Sequence, residues 1–365
     1  MQIGVFAYGF GDGVLTHAIG NAATTRDQLG TLTGQASDGL VSDNYAGLGG
    51  SASVSLGLNA TLGQVQTWQA NIQAASGRMQ VAQSALNQIS AIASNFFAQT
   101  ATLASGDSTG IDATAASARD ALTQVANLLD SQFGGIYVFA GTDTQNAPVP
   151  NPDAIGSCGM ATQIATSVQG LAANGAPATI AATLAVAASN AAGVSPFSAA
   201  QSQPAGTLRA ALPKVQTGNG QYTTVGIPAA ANGAVASTGS STTGSYMRDI
   251  MRALATIGAM SSAQTSAAGY QALVQDTHAS LGDAISALNE DAGVLGNRQA
   301  ALNAANATIG QTVIALQGQI SDVQDVDMAA TLSKLSATKT QLQVSYQIVG
   351  ALRTMSLATV LGPVA

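Results

Sequence analysis

The sequence predicts a mainly α fold: a long-helix, coiled-coil-like bundle formed by both chain ends, with a smaller mixed α/β insert in the middle. Three observations lead there. Apolar residues recur in alternating steps of four and three along two long stretches, one toward each end. The stripes vanish from about Asp143 to Ser245, where Ala, Gly, Ser, Thr and Pro dominate. Charge is scarce: 8% of the 365 residues are charged, against about 25% in an average globular chain. Gln, Asn, Ser and Thr must therefore cover the surface, which favours association over mutual repulsion.

The first stripe passes through Val54, Leu58, Thr61, Val65, Trp68, Ile72, Ala75, Met79, Ala82, Leu86, Ile89, Ala93 and Phe96. The second passes through Leu281, Ile285, Leu288, Ala292, Leu295, Gln299, Leu302, Asn306, Ile309, Val313, Leu316, Ile320 and Val323. A 3.5-residue period held this long keeps one seam facing a partner helix. Gln299 and Asn306 interrupt it, as polar residues that set register do. The candidate bundle core is Ile72, Met79, Leu86 and Ile89 with Leu288, Leu295, Leu302 and Ile309, on helices packed antiparallel. A shorter stripe through Ile111, Ala115, Ala118, Leu122, Val125 and Leu129 follows the turn cluster Gly106 to Gly110. That order predicts a helical hairpin joined near residue 108.

Each end carries a further helical stripe. Leu15, Ala18, Ala22, Leu29 and Leu32 mark one; Met328, Leu332, Leu335, Leu342, Tyr346, Val349 and Leu352 mark the other. Glycines from Gly34 to Gly50 predict an irregular connection before the long helix. In the middle, Gly218-Asn219-Gly220 between Thr- and Val-bearing flanks predicts a β-hairpin. Met160 to Ala192 reads as one or two Ala-rich helices broken at Gly175 and Pro177, and Ala231 to Gly244 as a flexible linker. The expected organisation is 1–50, a terminal helix and connection; 51–142, a long helical hairpin; 143–245, a surface-exposed insert; 246–325, a returning long helix; and 326–365, a last helix. An insert of this composition is expected to tolerate replacement of residues 150–240 by a short linker.

Several function classes find no support. A net charge of −7 and a pI near 4.5 leave no basic patch for nucleic acid. No run of eighteen apolar residues predicts a membrane span. Cys158 is the single cysteine, so no disulfide framework forms within one chain. Gly9-Phe10-Gly11-Asp12-Gly13 lacks dinucleotide-binding spacing and reads as a flexible terminal stretch. Asp322, Asp325 and Asp327 have no histidine nearby and read as acids at a loop or helix N-terminus. Asp107 to Asp112 fails the calcium-loop pattern because Ala118 stands at its twelfth position. His17, His278 and Cys158 are isolated, which predicts no catalytic site, no metal and no cofactor.

Three segments resemble the flagellin superfamily. Gln35-Ala36-Ser37-Asp38-Gly39-Leu40-Val41, continuing to Asp43-Asn44-Tyr45-Ala46-Gly47-Leu48, is similar to the family's connection after its first helix. Gly135-Ile136-Tyr137-Val138-Phe139-Ala140-Gly141-Thr142-Asp143-Thr144 resembles a turn of the members that join hook to filament, the hook-associated protein 3 type. Within it, Gly134 and Gly135 are read as stopping the helix before a short strand. Ile320 to Ala329, Gly296-Asn297-Arg298-Gln299, Gln341 to Gln347 and Met355 to Leu361 resemble the family's C-terminal pattern. Together the likeness covers about residues 15–142 and 245–361.

The resemblance implies a non-enzymatic structural subunit of the bacterial flagellum. It implies export by the flagellar type III route without a cleaved signal peptide, and an extracellular destination. Implied partners are copies of itself, other hook-associated proteins, flagellin and an export chaperone, with no nucleic acid and no membrane insertion. The implied assembly interface is Leu15, Leu29 and Leu32 with Leu335, Leu342, Val349, Leu352, Leu357 and Leu361. The competing readings are a filament flagellin, and a flagellin-like surface adhesin whose insert binds a ligand.

Overall fold

The computed structural model describes residues 9–104 and 109–361, with side chains from residue 13 to residue 354 of those ranges. The turn expected near residue 108 lies outside them. Two compact units divide the chain: residues 1–65 with 311–365, and residues 66–310.

The frame of the 66–310 unit comes from two long helices, α2 (Ala52–Ala104) and α8 (Tyr270–Gln324). They run antiparallel in one register. Ser76 Oγ donates to Asn303 Oδ1 at 3.0 Å, and Ser90 Oγ donates to Asn289 Oδ1 at 2.9 Å. Farther along, the Phe97 and His278 rings stack with centroids 4.0 Å apart. Between these contacts Ile72, Met79, Leu86 and Ile89 are buried on α2, and Leu288, Leu295, Leu302 and Ile309 on α8. The third stripe forms α3 (Ile111–Leu129), with all six of its apolar positions buried. Ala121 and Gln124 of α3 share a groove with Ile92 and Phe96 of α2, as an antiparallel hairpin requires.

The turn after α3 differs from expectation. Asp130 closes the helix, and the glycine pair lies farther on, between β1 (Gln132–Phe133) and β2 (Ile136–Tyr137). Gly134 and Gly135 have φ of 59° and 78°. A two-residue hairpin turn needs positive φ at both central positions, so the pair makes a hairpin rather than a helix stop. Phe133 rests on α2 at Gly77, where a Cβ would collide with its ring.

The middle of the chain joins this unit instead of standing apart. It contributes α4 (Gly159–Gln169), α5 (Leu171–Ala188), α6 (Ala205–Ala210) and the antiparallel strands β3 (Lys214–Gly218) and β4 (Gln221–Thr224). Helix α5 kinks at Gly175. Over its eighteen residues it is long and apolar enough to cross a membrane by composition, a window the sequence reading passed over. Here it packs on α4 and on α7 (Tyr246–Ala259).

Helix α7 is a second departure. The expected single returning helix is split: α7, then a turn through residues 260–269, then α8. Every residue from Tyr246 to Gly258 is buried, against α3, α4 and α5. The helix carries its own apolar stripe through Met247, Ile250, Met251, Leu254 and Ile257, and its polar face is buried too, with Arg248, Asp249 and Arg252.

The segment read as a flexible linker is packed. Ala229, Ala230, Ala231, Asn232 and Val235 are buried. Small residues let this strap lie close to the helices, where the Gly233 and Ala234 N–H groups donate to Asp291 and the Thr243 N–H donates to Asp249.

In the other unit, α1 (Gly9–Asp38) packs along α9 (Met328–Leu361). Val326 N donates to Gly39 O at 2.9 Å and Val41 N donates to Gln324 O at 2.7 Å. These bonds tie the end of α1 to the start of α9, so the pair is antiparallel. Asp327 Oδ1 accepts from Ala329 N and Ala330 N at 2.9 and 3.0 Å, capping α9. The Gly9–Gly13 stretch, expected to be irregular, opens α1.

Candidate assembly surface

The α1–α9 pair has a thin interior. Ala22, Thr25 and Leu32 are buried on α1, and Thr331, Thr338 and Leu342 on α9. Small residues and threonines let the helices approach but bury little apolar area. Two helices alone leave their outer faces open, and here those faces carry several large apolar side chains among polar ones. Among the described residues, all the large exposed apolar side chains except Phe133 and Tyr222 belong to the unit of residues 1–65 and 311–365. Val14, Ile19, Leu332, Val344, Tyr346 and Ile348 are each about half exposed, and Ile314 is 70% exposed.

The residues expected at the assembly interface sit elsewhere on the same helices. Leu32 and Leu342 are buried, and Leu15, Leu29, Leu335, Val349 and Leu352 are partly buried. Leu15 and Val349 line one cleft of the pair, and Leu352 lines another with Val14 and His17. Leu357 and Leu361 lie outside the described side chains. A four-three stripe selects the positions that face a neighbouring helix, and that neighbour is first the chain's own. The outward set is only partly off the stripe: Val14, Val344 and Ile348 are off it, whereas Met328, Leu332 and Tyr346 lie on it and are exposed all the same.

The sequence reading missed a buried polar clamp. Asp291 Oδ2 accepts from Gly233 N at 2.6 Å and from the Tyr246 hydroxyl at 2.9 Å, while its Oδ1 accepts from Ala234 N at 2.8 Å. Asp249 accepts from Thr242 Oγ1 at 2.6 Å and Thr243 N at 2.8 Å. Arg252 donates to Ser241 O at 3.0 Å and Ser280 Oγ at 2.7 Å, and pairs with Asp276 at 3.5 Å. Arg248 donates to Ala187 O, Ala230 O and Asn190 Oδ1, with its guanidinium 5.1 Å from the Phe197 ring centre. Burial raises the Asp249 carboxyl above its ordinary value, opposed by Thr242, Thr243 and Arg252. Burial, then the adjacent Asp291, pushes the Tyr246 hydroxyl well up. In a chain so poor in charge, these five ionic side chains hold the middle region onto α7 and α8.

The remaining polar candidates have structural partners. Cys158 caps α4, its Sγ accepting from Ala161 N at 3.5 Å. His278 Nδ1 lies 3.1 Å from both Thr100 Oγ1 and Phe97 O. Among the described residues no three His, Cys, Asp or Glu side chains gather where a metal ion could bind. Asp130 is lifted to about 6 by burial, against the Val149 N–H that it accepts at 2.9 Å.

Two family models match the chain. The bacterial flagellin N-terminal helical region matches residues 16–144, and the bacterial flagellin C-terminal helical region matches residues 279–361. No curated protein matches it. The matched stretches hold α1 from residue 16, α2, α3 and the hairpin on one side, and most of α8 with α9 on the other. With both family models matched and two antiparallel terminal helix pairs, the chain belongs to the flagellin family: a structural, non-enzymatic protein of the extracellular bacterial flagellum.

Proposed function

We propose that this chain is the subunit that joins hook to filament, packing through its terminal helices against copies of itself, other hook-associated proteins and flagellin. The observation that carries the junction assignment is the turn from Gly135 to Thr144. It resembles the turn of junction proteins, and it is ordered along its length. Tyr137 N donates to Thr144 O, Val138 N donates to Ser131 O, and Phe139 is fully buried. The exposed apolar side chains of α1 and α9, Val14, Ile19, Leu332, Val344, Tyr346 and Ile348, support the packing half of the proposal. Export through the type III route with a chaperone fits a face that must be kept from premature contact.

The second reading is a filament flagellin, which the same family membership supports. Purified protein under polymerising conditions separates the two. A junction subunit stays short of long filaments on its own. A strain lacking it should carry hooks without filaments and release flagellin into the medium. Long filaments from the purified chain alone would overturn the junction assignment in favour of the second reading.

A further inference from the structure

We propose that Asn219, in the turn between β3 and β4, is a site of spontaneous deamidation, and that the fold shields the chain's two other Asn-Gly pairs from the same reaction. The three pairs are Asn174-Gly175, Asn219-Gly220 and Asn232-Gly233, all in the middle region. Glycine after asparagine leaves the backbone N–H unhindered beside the side-chain amide, because no Cβ stands in the way. By sequence the three pairs are alike. Their surroundings differ.

The reaction needs no partner but water. The Gly220 backbone nitrogen attacks Asn219 Cγ; a C–N bond forms there and the Cγ–Nδ2 bond breaks. Ammonia leaves with the two amide hydrogens and the proton released by the glycine nitrogen. Water then opens the resulting cyclic imide at either carbonyl, its hydroxyl going to the carbon and its proton to the nitrogen. Opening at Cγ gives an aspartyl residue. Opening at the main-chain carbonyl gives an isoaspartyl residue, which adds a carbon to the backbone. Either product puts a carboxylate where a neutral amide stood.

Ring closure requires that the nitrogen can reach Cγ and that the backbone can rotate. Asn219 and Gly220 are both exposed, at the tip of a two-stranded hairpin whose last paired residues are Gly218 and Gln221. No hydrogen bond engages the Asn219 amide among the described residues. Gly220 has φ of 70° and open space around its Cα.

Asn232 is the opposite case, at 1% exposure. Its Oδ1 accepts from Tyr246 N at 3.0 Å, and its Nδ2 donates to Val235 O at 3.1 Å and Ser237 Oγ at 2.8 Å. The nitrogen that would attack, Gly233 N, donates to Asp291 Oδ2 at 2.6 Å. Bringing that nitrogen onto Asn232 Cγ would strip buried groups of their partners, which is costly. Asn174 is exposed, but its backbone is pinned on both sides of the α5 kink. Its N–H donates to Gly170 O at 2.9 Å, and Ala176, just past Gly175, is buried.

The purified full chain tests this, held folded in mildly alkaline buffer, with a parallel sample unfolded in urea. Both are digested in mild acid, and the mass gain of deamidation is followed peptide by peptide over time. In the folded chain Asn219 is expected to react about tenfold faster or more than Asn174 and Asn232. In urea the three rates should draw together. Equal rates in the folded chain, or Asn232 in the lead, would overturn the proposal. A gap of the same size in urea would overturn the fold's part in it, because flanking sequence would then set the selectivity. Aspartyl and isoaspartyl products should appear together at position 219 and be absent in Asn219→Gln. Aspartyl product alone would mean direct hydrolysis and sink the cyclic route.

Discussion

The two units of this chain solve the same problem in opposite ways. The 66–310 unit surrounds its apolar stripes: α3 lies along α2, and α7 is buried from Tyr246 to Gly258. The terminal unit buries one thin seam and leaves Val344, Tyr346, Ile348 and their neighbours in solvent. Apolar exposure is unfavourable by about 25 cal/mol per Å², so the terminal helices stand to gain from association under the proposed function, while the other unit buries its stripes within the chain. Their different seams reflect this. Leucine, isoleucine and methionine fill the inner bundle, and alanine and threonine much of the α1–α9 contact.

The comparison breaks most severely if the middle region is removed. Composition alone would let a short linker replace residues 150–240. The structure argues against that expectation, because Arg248 would lose the Ala187 and Ala230 carbonyls and Asp291 the Gly233 and Ala234 N–H groups. Breaking one buried ionic contact costs about 3–5 kcal/mol, a large share of the roughly 5–15 kcal/mol that holds a domain. The shortened chain is expected to lose its cooperative thermal transition by circular dichroism. A surviving transition would mean that the clamp is dispensable.

Core truncations should separate the units next. Leu86→Ala is expected to lower stability by about 2–5 kcal/mol, as burial in a sealed core implies. Leu342→Ala, in the thin seam, should cost the monomer about 1 kcal/mol, because that seam can collapse onto its small neighbours. Equal losses in urea unfolding would dissolve the distinction between the units.

A smaller effect tests the junction between α3 and the hairpin. Asp130 has a folded value of about 6 against 3.8 for the free side chain. The stability tied to its protonated form is therefore complete below about pH 4 and lost as pH rises through 6. Asp130→Asn keeps an oxygen for the Val149 N–H and removes the charge. It should stabilise the protein by about 1 kcal/mol at pH 8, after discounting for partial exposure. At pH 3.5 it should match the parent; a gain at pH 3.5 as large as at pH 8 would sink this account.

The least effect on folding is expected from the outer face, where the functional effect should be greatest. Val344→Gln with Ile348→Gln should leave monomer stability within about 0.5 kcal/mol. Incorporation into flagella should nevertheless fall sharply when the cells' flagella are probed with antibody. Normal incorporation would place the packing contacts elsewhere.

By itself the sequence determined the long helices, their antiparallel pairing, the α3 stripe, the β3–β4 hairpin and the family. Each follows from local pattern: a period of 3.5, an Asn-Gly turn, or a motif read in order. Only the tertiary structure decided which apolar residues stay outside. Leu342 and Val344 are two residues apart and both apolar, yet one is buried in the α1–α9 pair and the other is exposed. Only the tertiary structure, too, turned Ala231 to Gly244 from a linker into a strap. Its anchors, Asp249, Arg252 and Asp291, lie on other elements, and a residue's sequence neighbours do not encode a hydrogen bond made across the fold. Burial and long-range polar pairing belong to the whole chain, and periodicity belongs to the segment.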